Sequence, residues 1–111
     1  MGQRAIAIDY GSRRTGIAIG DTESRMAAPF ERFENLSEPE LLTAIAALIQ
    51  REGIQLIICG LPLNENGSAG PQAMLTEKFA VELEGRLRAS PHFYNSETEI
   101  DRLLEALPLD Q

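Results

Sequence analysis

Ile6-Ala7-Ile8-Asp9-Tyr10-Gly11-Ser12-Arg13-Arg14-Thr15-Gly16-Ile17-Ala18-Ile19-Gly20 is the stretch on which the fold of this chain turns. Two continuous apolar runs flank a short polar segment, which predicts two neighbouring buried strands joined by a turn. Gly11 and Gly16 bound that turn and let the backbone bend sharply. Asp9 closes the first strand, so a carboxylate is carried on a rigid element, and Arg13 and Arg14 add positive charge just beyond it. A metal-phosphate site can be built on such a frame. The same residues also describe an ordinary hairpin with a solvated arginine tip, because Asp and Gly are favoured in turns for purely local reasons.

Working outward, 111 residues suffice for one domain with a real core and are too few for two. Hydrophobic residues make up 43% and charged residues 24%, which argues against disorder and against a membrane protein. No apolar run approaches the roughly 20 residues needed to span a bilayer, so no membrane partner is expected. Met1-Gly2-Gln3-Arg4 lacks the apolar stretch of a signal peptide, and a cytoplasmic location is expected. The single cysteine, Cys59, falls in Leu56-Ile57-Ile58-Cys59-Gly60 and is expected as a small core residue. The net charge of −7 argues against a nonspecific coat of nucleic acid. That charge is uneven: residues 1–32 carry five basic and four acidic side chains, residues 33–111 five and thirteen. A phosphate-facing surface can therefore lie only near the N-terminal strands.

Ala27 to Phe33 suits a third strand at a sheet edge, where Pro29 is tolerated. Ser37-Glu38-Pro39-Glu40 is a capping box, and Leu41, Leu42, Ile45, Leu48 and Ile49 follow at helical spacing as far as Gly53. The run Leu56–Gly60 is then expected to pair in parallel beside the first strand, as a strand-helix-strand crossover requires. From it leaves an irregular segment, residues 61–70, at the strand end where open α/β sheets bind ligands. Pro71 opens a second helix with Met74, Leu75, Phe79, Leu83 and Leu87 as its expected packing stripe. A short strand at His92-Phe93-Tyr94 follows, and Ser96-Glu97-Thr98-Glu99 caps a last helix whose inner face is Ile100, Leu103, Leu104 and Leu107. The expectation is a single α/β domain with a five-stranded mixed sheet, in the order β-β-β-α-β-α-β-α. His92 is expected to be structural.

Two motifs, Ile8–Ala18 and Gly60-Leu61-Pro62-Leu63-Asn64 followed by Gly67-Ser68 and Gly70-Pro71-Gln72-Ala73, resemble the YqgF/RuvX family of Holliday-junction-resolvase-like proteins, also described as pre-16S rRNA nucleases. The resemblance covers roughly the first 88 residues. It implies a ribonuclease-H-like fold and metal-dependent cleavage of a phosphodiester in structured DNA or precursor rRNA, with Mg²⁺ or Mn²⁺. It also implies that Asp9 is the central metal ligand, that Arg13 and Arg14 face phosphate, and that Asn64 hydrogen-bonds the substrate. Gly11, Gly16, Gly60, Gly67 and Gly70 shape the surrounding loops. A junction offers two strands to cut, which suits a homodimer.

The family supplies further acids from an Asp-Glu-Arg motif after the last strand and from a final helix. Here Asn95-Ser96-Glu97 stands at the first of these places, and the chain ends at Gln111, so the fold is expected to be C-terminally truncated relative to the family. Glu97 remains a candidate ligand, although Glu97, Glu99 and Asp101 also suit the first turn of a helix as dipole-compensating acids. An incomplete acidic shell implies weak metal binding and low activity, or a descendant that only binds nucleic acid or protein. Residues 88–104 separately resemble the C-terminal strand-helix of class V aminotransferases and cysteine desulfurases. A third reading is phosphate binding: Asp9-x-Gly11 with Gly16 also resembles the first phosphate loop of sugar-kinase and actin-like ATPases, which need two such domains.

Overall fold

The computed structural model describes residues 2–24, 26–60, 66–68, 70–87 and 92–94. Strand β1 (Arg4–Asp9) runs into the turn and returns as β2 (Arg14–Asp21), and β3 (Met26–Glu34) completes an antiparallel meander. Helix α1 (Glu38–Arg51) crosses to β4 (Leu56–Cys59), helix α2 (Pro71–Arg86) crosses back, and β5 (His92–Tyr94) adds a three-residue strand. The order across the sheet is β3-β2-β1-β4-β5, with β4 parallel to β1 and β5 parallel to β4. The result is an α/β fold on a mixed sheet, in which β1 is the central strand. The last helix expected from Ile100 to Leu107, and most of the 88–104 segment, lie outside the described residues.

Alternation along β1 and β2 divides the sheet into unlike faces. Ile6, Ile8, Ile17 and Ile19 point to the face covered by both helices and join Leu42, Ile45, Leu48, Ile57, Phe79 and Leu83 in the main core. Ala5, Ala7 and Ala18 point the other way, with Leu56 and Ile58, in a second buried cluster. Cys59 is buried in the main core, and burial pushes its thiol pKa up to about 12, which makes it unreactive.

Both ends of α1 follow from local chemistry. The Glu40 amide donates to Ser37 Oγ at 3.3 Å while the Ser37 amide donates to Glu40 Oε1 at 2.9 Å, and Pro39 sits in the first turn. At the other end Gly53 adopts φ 62°, its amide donating to Gln50 O and that of Ile54 to Ile49 O, a Schellman stop. Ser37→Ala removes one half of the capping box and is expected to cost ~1 kcal/mol. Urea denaturation of the two proteins would measure it, and an unchanged midpoint would show that α1 does not depend on its cap.

Helix α2 corrects one expectation. Its buried residues are Ala73, Thr76, Phe79 and Leu83, whereas Met74 and Leu75 are 64% and 48% exposed. Phe79 and Leu83 enter the core as expected, and the buried face centred on Ala73, Thr76, Phe79 and Leu83 leaves Met74 and Leu75 on its flanks, turned outward. Along the edge, β3 runs one residue further at each end than expected. It carries a bulge at Phe30, since Ile17 pairs with Glu31 and Ala18 with Pro29.

Candidate functional site

Asp9 ends the central strand directly opposite Gly16 of β2. By alternation it lies on the alanine face, above Ala5 and Ala7 and away from the two helices. It is half-buried, and among the described residues it has no hydrogen-bond or ion-pair partner. Burial alone pushes its pKa above the ordinary aspartate value. A carboxylate held in this way is poorly solvated and gains from a nearby cation.

The turn that follows is tightly specified. A Cβ on Gly11 would stand 2.3 Å from Arg14 O, so only glycine fits there. Thr15, fully buried, turns its hydroxyl back to the Gly11 backbone at 3.3–3.4 Å. Asn35 closes the other flank: it takes φ 57°, a left-handed conformation that Asn tolerates, and its amide donates to Arg13 O at 2.9 Å. The chain is thus pinned on both sides of Arg13, while the side chains of Ser12, Arg13 and Arg14 stay exposed.

Tyr10 ties this turn to both helices. Its hydroxyl donates to Glu38 Oε1 at 2.6 Å at the start of α1, and its ring stacks on Phe79 of α2 with centroids 4.4 Å apart. Gln72 Nε2 donates to Tyr10 O at 3.1 Å. Burial first, and then the bond to Glu38, pushes the Tyr10 pKa up to about 12, so the phenol stays protonated. Gly60 continues the β1–β4 pairing through its amide to Ile8 O at 2.9 Å. In the segment beyond, Asn66 Oδ1 accepts from Ser68, Gly67 takes φ 84°, and Gly70 precedes Pro71 at the head of α2.

A family model described as RuvX, Holliday junction resolvase, matches residues 3–99. The chain belongs to the RuvX family. Relatives named "Putative pre-16S rRNA nuclease" include that of Chloroflexus aurantiacus, 36% identical over 85 residues, which covers 77% of this chain and 56% of the relative. That of Chloroflexus aggregans is 32% identical over 93 residues and covers 84% and 66% respectively. This RuvX chain therefore spans between about half and two thirds of the length of these relatives. Among solved structures, an Aquifex aeolicus member of the Ppx/GppA family aligns with 87% of this chain and 36% of its own at 12% identity and a TM-score of 0.43.

In this RuvX-family chain the fold brings Asp9, Gly11, Arg13, Arg14 and Gly16 together at one end of β1 and β2, with Gly60 on the adjacent β4. Asn64, Asn95 and Glu97 lie outside the described residues. Asp9 fits a divalent cation as one anionic ligand. Among the described residues no group of three His, Cys, Asp or Glu side chains comes together to hold a metal, so the described part offers an anchor and not a full ligand set. Tyr10 and Gln72 fall within the two motifs without a role that the sequence assigns them, and Asn35 lies outside both; the partners of Asn35 and Gln72 lie 22 and 62 residues away.

Proposed function

We propose that this chain hydrolyses phosphodiester bonds in structured nucleic acid, DNA junctions or precursor rRNA, with Asp9 as principal metal ligand. The observation that carries the reading is a half-buried carboxylate with no partner among the described residues, at the end of the central strand and beside a rigid turn bearing two exposed arginines, in a chain of the RuvX family. A divalent ion, Mg²⁺ or Mn²⁺, would supply polarisation of the scissile phosphate and activation of water. Asp9 would hold that ion from the alanine face. Arg13 and Arg14 would neutralise backbone phosphates and position the strand, and Asn64 would bond to it at the rim. The reading includes a ribonuclease-H-like architecture, a cytoplasmic location, and a homodimer on a two-stranded substrate. No described helix is long and apolar enough to cross a membrane.

A second reading is favoured by one observation, the lack of a three-residue acidic group among the described residues. Two closely spaced cations need several anionic oxygens. The chain would then bind nucleic acid and cut it slowly or not at all. Cleavage of a four-way DNA junction and of a precursor-rRNA-like duplex under titrated Mn²⁺ and Mg²⁺ separates the two. Metal-dependent cleavage supports the nuclease; binding without cleavage at any metal concentration supports the second reading.

The arginine turn has its own test. Arg13→Ala/Arg14→Ala removes two phosphate contacts, so affinity should fall about equally across sequences. The slope of log K against log salt should flatten by about 2. An unchanged salt slope would place the binding surface elsewhere.

A further inference from the structure

A cavity of about 150 Å³ opens on the helix-covered face beside the arginine turn, lined by Tyr10, Arg13, Phe33, Leu36, Glu38 and Leu41 among others. Sites for whole drug-sized molecules run to roughly 300–1,000 Å³, so this one suits a fragment the size of a single heterocyclic ring system. Its wall is apolar on the side of Phe33, Leu36 and Leu41; Ser12, Arg13 and Thr15 line it toward the turn, and Tyr10 and Glu38 line it toward α1. The Tyr10 hydroxyl spends its proton on Glu38, leaving its oxygen with lone pairs only. The Glu38 carboxylate, a group with about four lone-pair sites, accepts that one bond and lines the cavity with acceptor capacity to spare. The adjoining acceptors of Tyr10 and Glu38 suit a ring edge of adjacent N–H donors. Guanine is the nucleobase that presents two such donors side by side, N1–H and the N2 amino group. Adenine and cytosine pair a single amino group with a ring acceptor. The exposed Arg13 supplies the complementary donors for O6 and N7.

We propose that this cavity holds one unpaired guanine base. The inference rests on the nucleic-acid reading above for its source, a strand whose phosphates cross the Arg13–Arg14 turn. Asp9 and Tyr10 are consecutive and belong to opposite faces of the sheet, so a base seated against Tyr10 would fix the strand at the hairpin tip, at a set distance from Asp9. Unpaired bases are the usual object of sequence-selective recognition in folded RNA.

The test uses the full 111-residue chain. Nuclear magnetic resonance titrations with GMP and AMP report on Tyr10, Leu36 and Leu41. Binding of single-stranded oligothymidylates carrying one central dG, dA or deoxyinosine reports on the strand. GMP should shift these resonances and AMP should not. The dG strand should bind about tenfold more tightly than the dA strand, the lower end of what a paired base contact discriminates. Deoxyinosine, which lacks the N2 amino group, should fall between them. Glu38→Gln should bring the dG and dA affinities within about twofold. Leu36→Trp, which fills the cavity from a half-exposed position, should do the same while the salt dependence set by Arg13 and Arg14 persists. Equal shifts with GMP and AMP, or a guanine preference that survives both substitutions, would overturn the proposal. Salt-dependent strand binding without base preference would overturn it and leave the nucleic-acid reading standing. GMP binding that depends on Glu38, with no strand binding at all, would retain a guanine site for a free nucleotide and overturn the nucleic-acid reading instead.

Discussion

Asp9→Asn is expected to move activity and stability in opposite directions. The substitution keeps the side chain's shape and removes its charge, so metal-dependent cleavage should fall by more than the roughly 10–100-fold that loss of an outer-shell partner costs a metal site. Stability without metal should rise. Burial raises the Asp9 pKa in the folded state above its ordinary value of 3.8, so the folded chain holds this proton more readily than the unfolded chain. The associated stabilisation is fully present below 3.8 and is lost as pH rises through the folded-state value, which leaves a penalty for the charged form at neutral pH. Asn escapes that penalty. Thermal unfolding in chelator at pH 7 should therefore give a higher Tm for the variant, and the difference should vanish below pH 3.8. Added Mn²⁺ should raise the Tm of the parent and not of the variant. Cleavage that survives Asp9→Asn would remove Asp9 from the site, and a lower Tm in chelator would show that the carboxylate has a stabilising partner.

Phe79→Ala carries the largest expected loss of stability. Its side chain is fully buried between the sheet and α1 and stacks on Tyr10. Truncation removes the transfer energy of a large ring and leaves a cavity, ~3–5 kcal/mol together. Small domains have only about 5–15 kcal/mol in total, so the variant should retain a small part of its stability. Urea unfolding followed by circular dichroism measures this, and a loss below about 1 kcal/mol would mean that the core collapses around the vacancy. Because Tyr10 loses its stacking partner, guanine binding should weaken in Phe79→Ala even where the chain remains folded.

Much of the architecture was legible because it is local. The Ile/Ala alternation of Ile6-Ala7-Ile8 and Ile17-Ala18-Ile19 specifies two strands with one bulky and one small face, and the main core and the alanine cluster follow that division. The capping box and Gly53 mark both ends of α1 through hydrogen bonds within six residues of each other. The crossover rule put β4 beside β1, and the register Ile6↔Ile57 bears it out. Helix α2 was harder, since apolar residues occur on several of its faces: Phe79 and Leu83 are buried as their spacing implies, but packing put Ala73 and Thr76 in the core and Met74 at the surface.

The sequence by itself determined which residues could carry charge to the site and which backbone positions had to be glycine. Asp9, Arg13, Arg14 and Gly11 are adjacent in the chain, and their geometry is set by strand and turn preferences acting over a few bonds. Tertiary structure alone decided what those residues face. It stacked Tyr10 on Phe79, brought Gln72 to Tyr10 O and Asn35 to Arg13 O, and placed Glu38 against the Tyr10 hydroxyl. The solvation of Asp9 and the cavity beside the turn are likewise products of packing. Such contacts join residues that are distant in sequence, and they depend on distances and directions that no local pattern encodes.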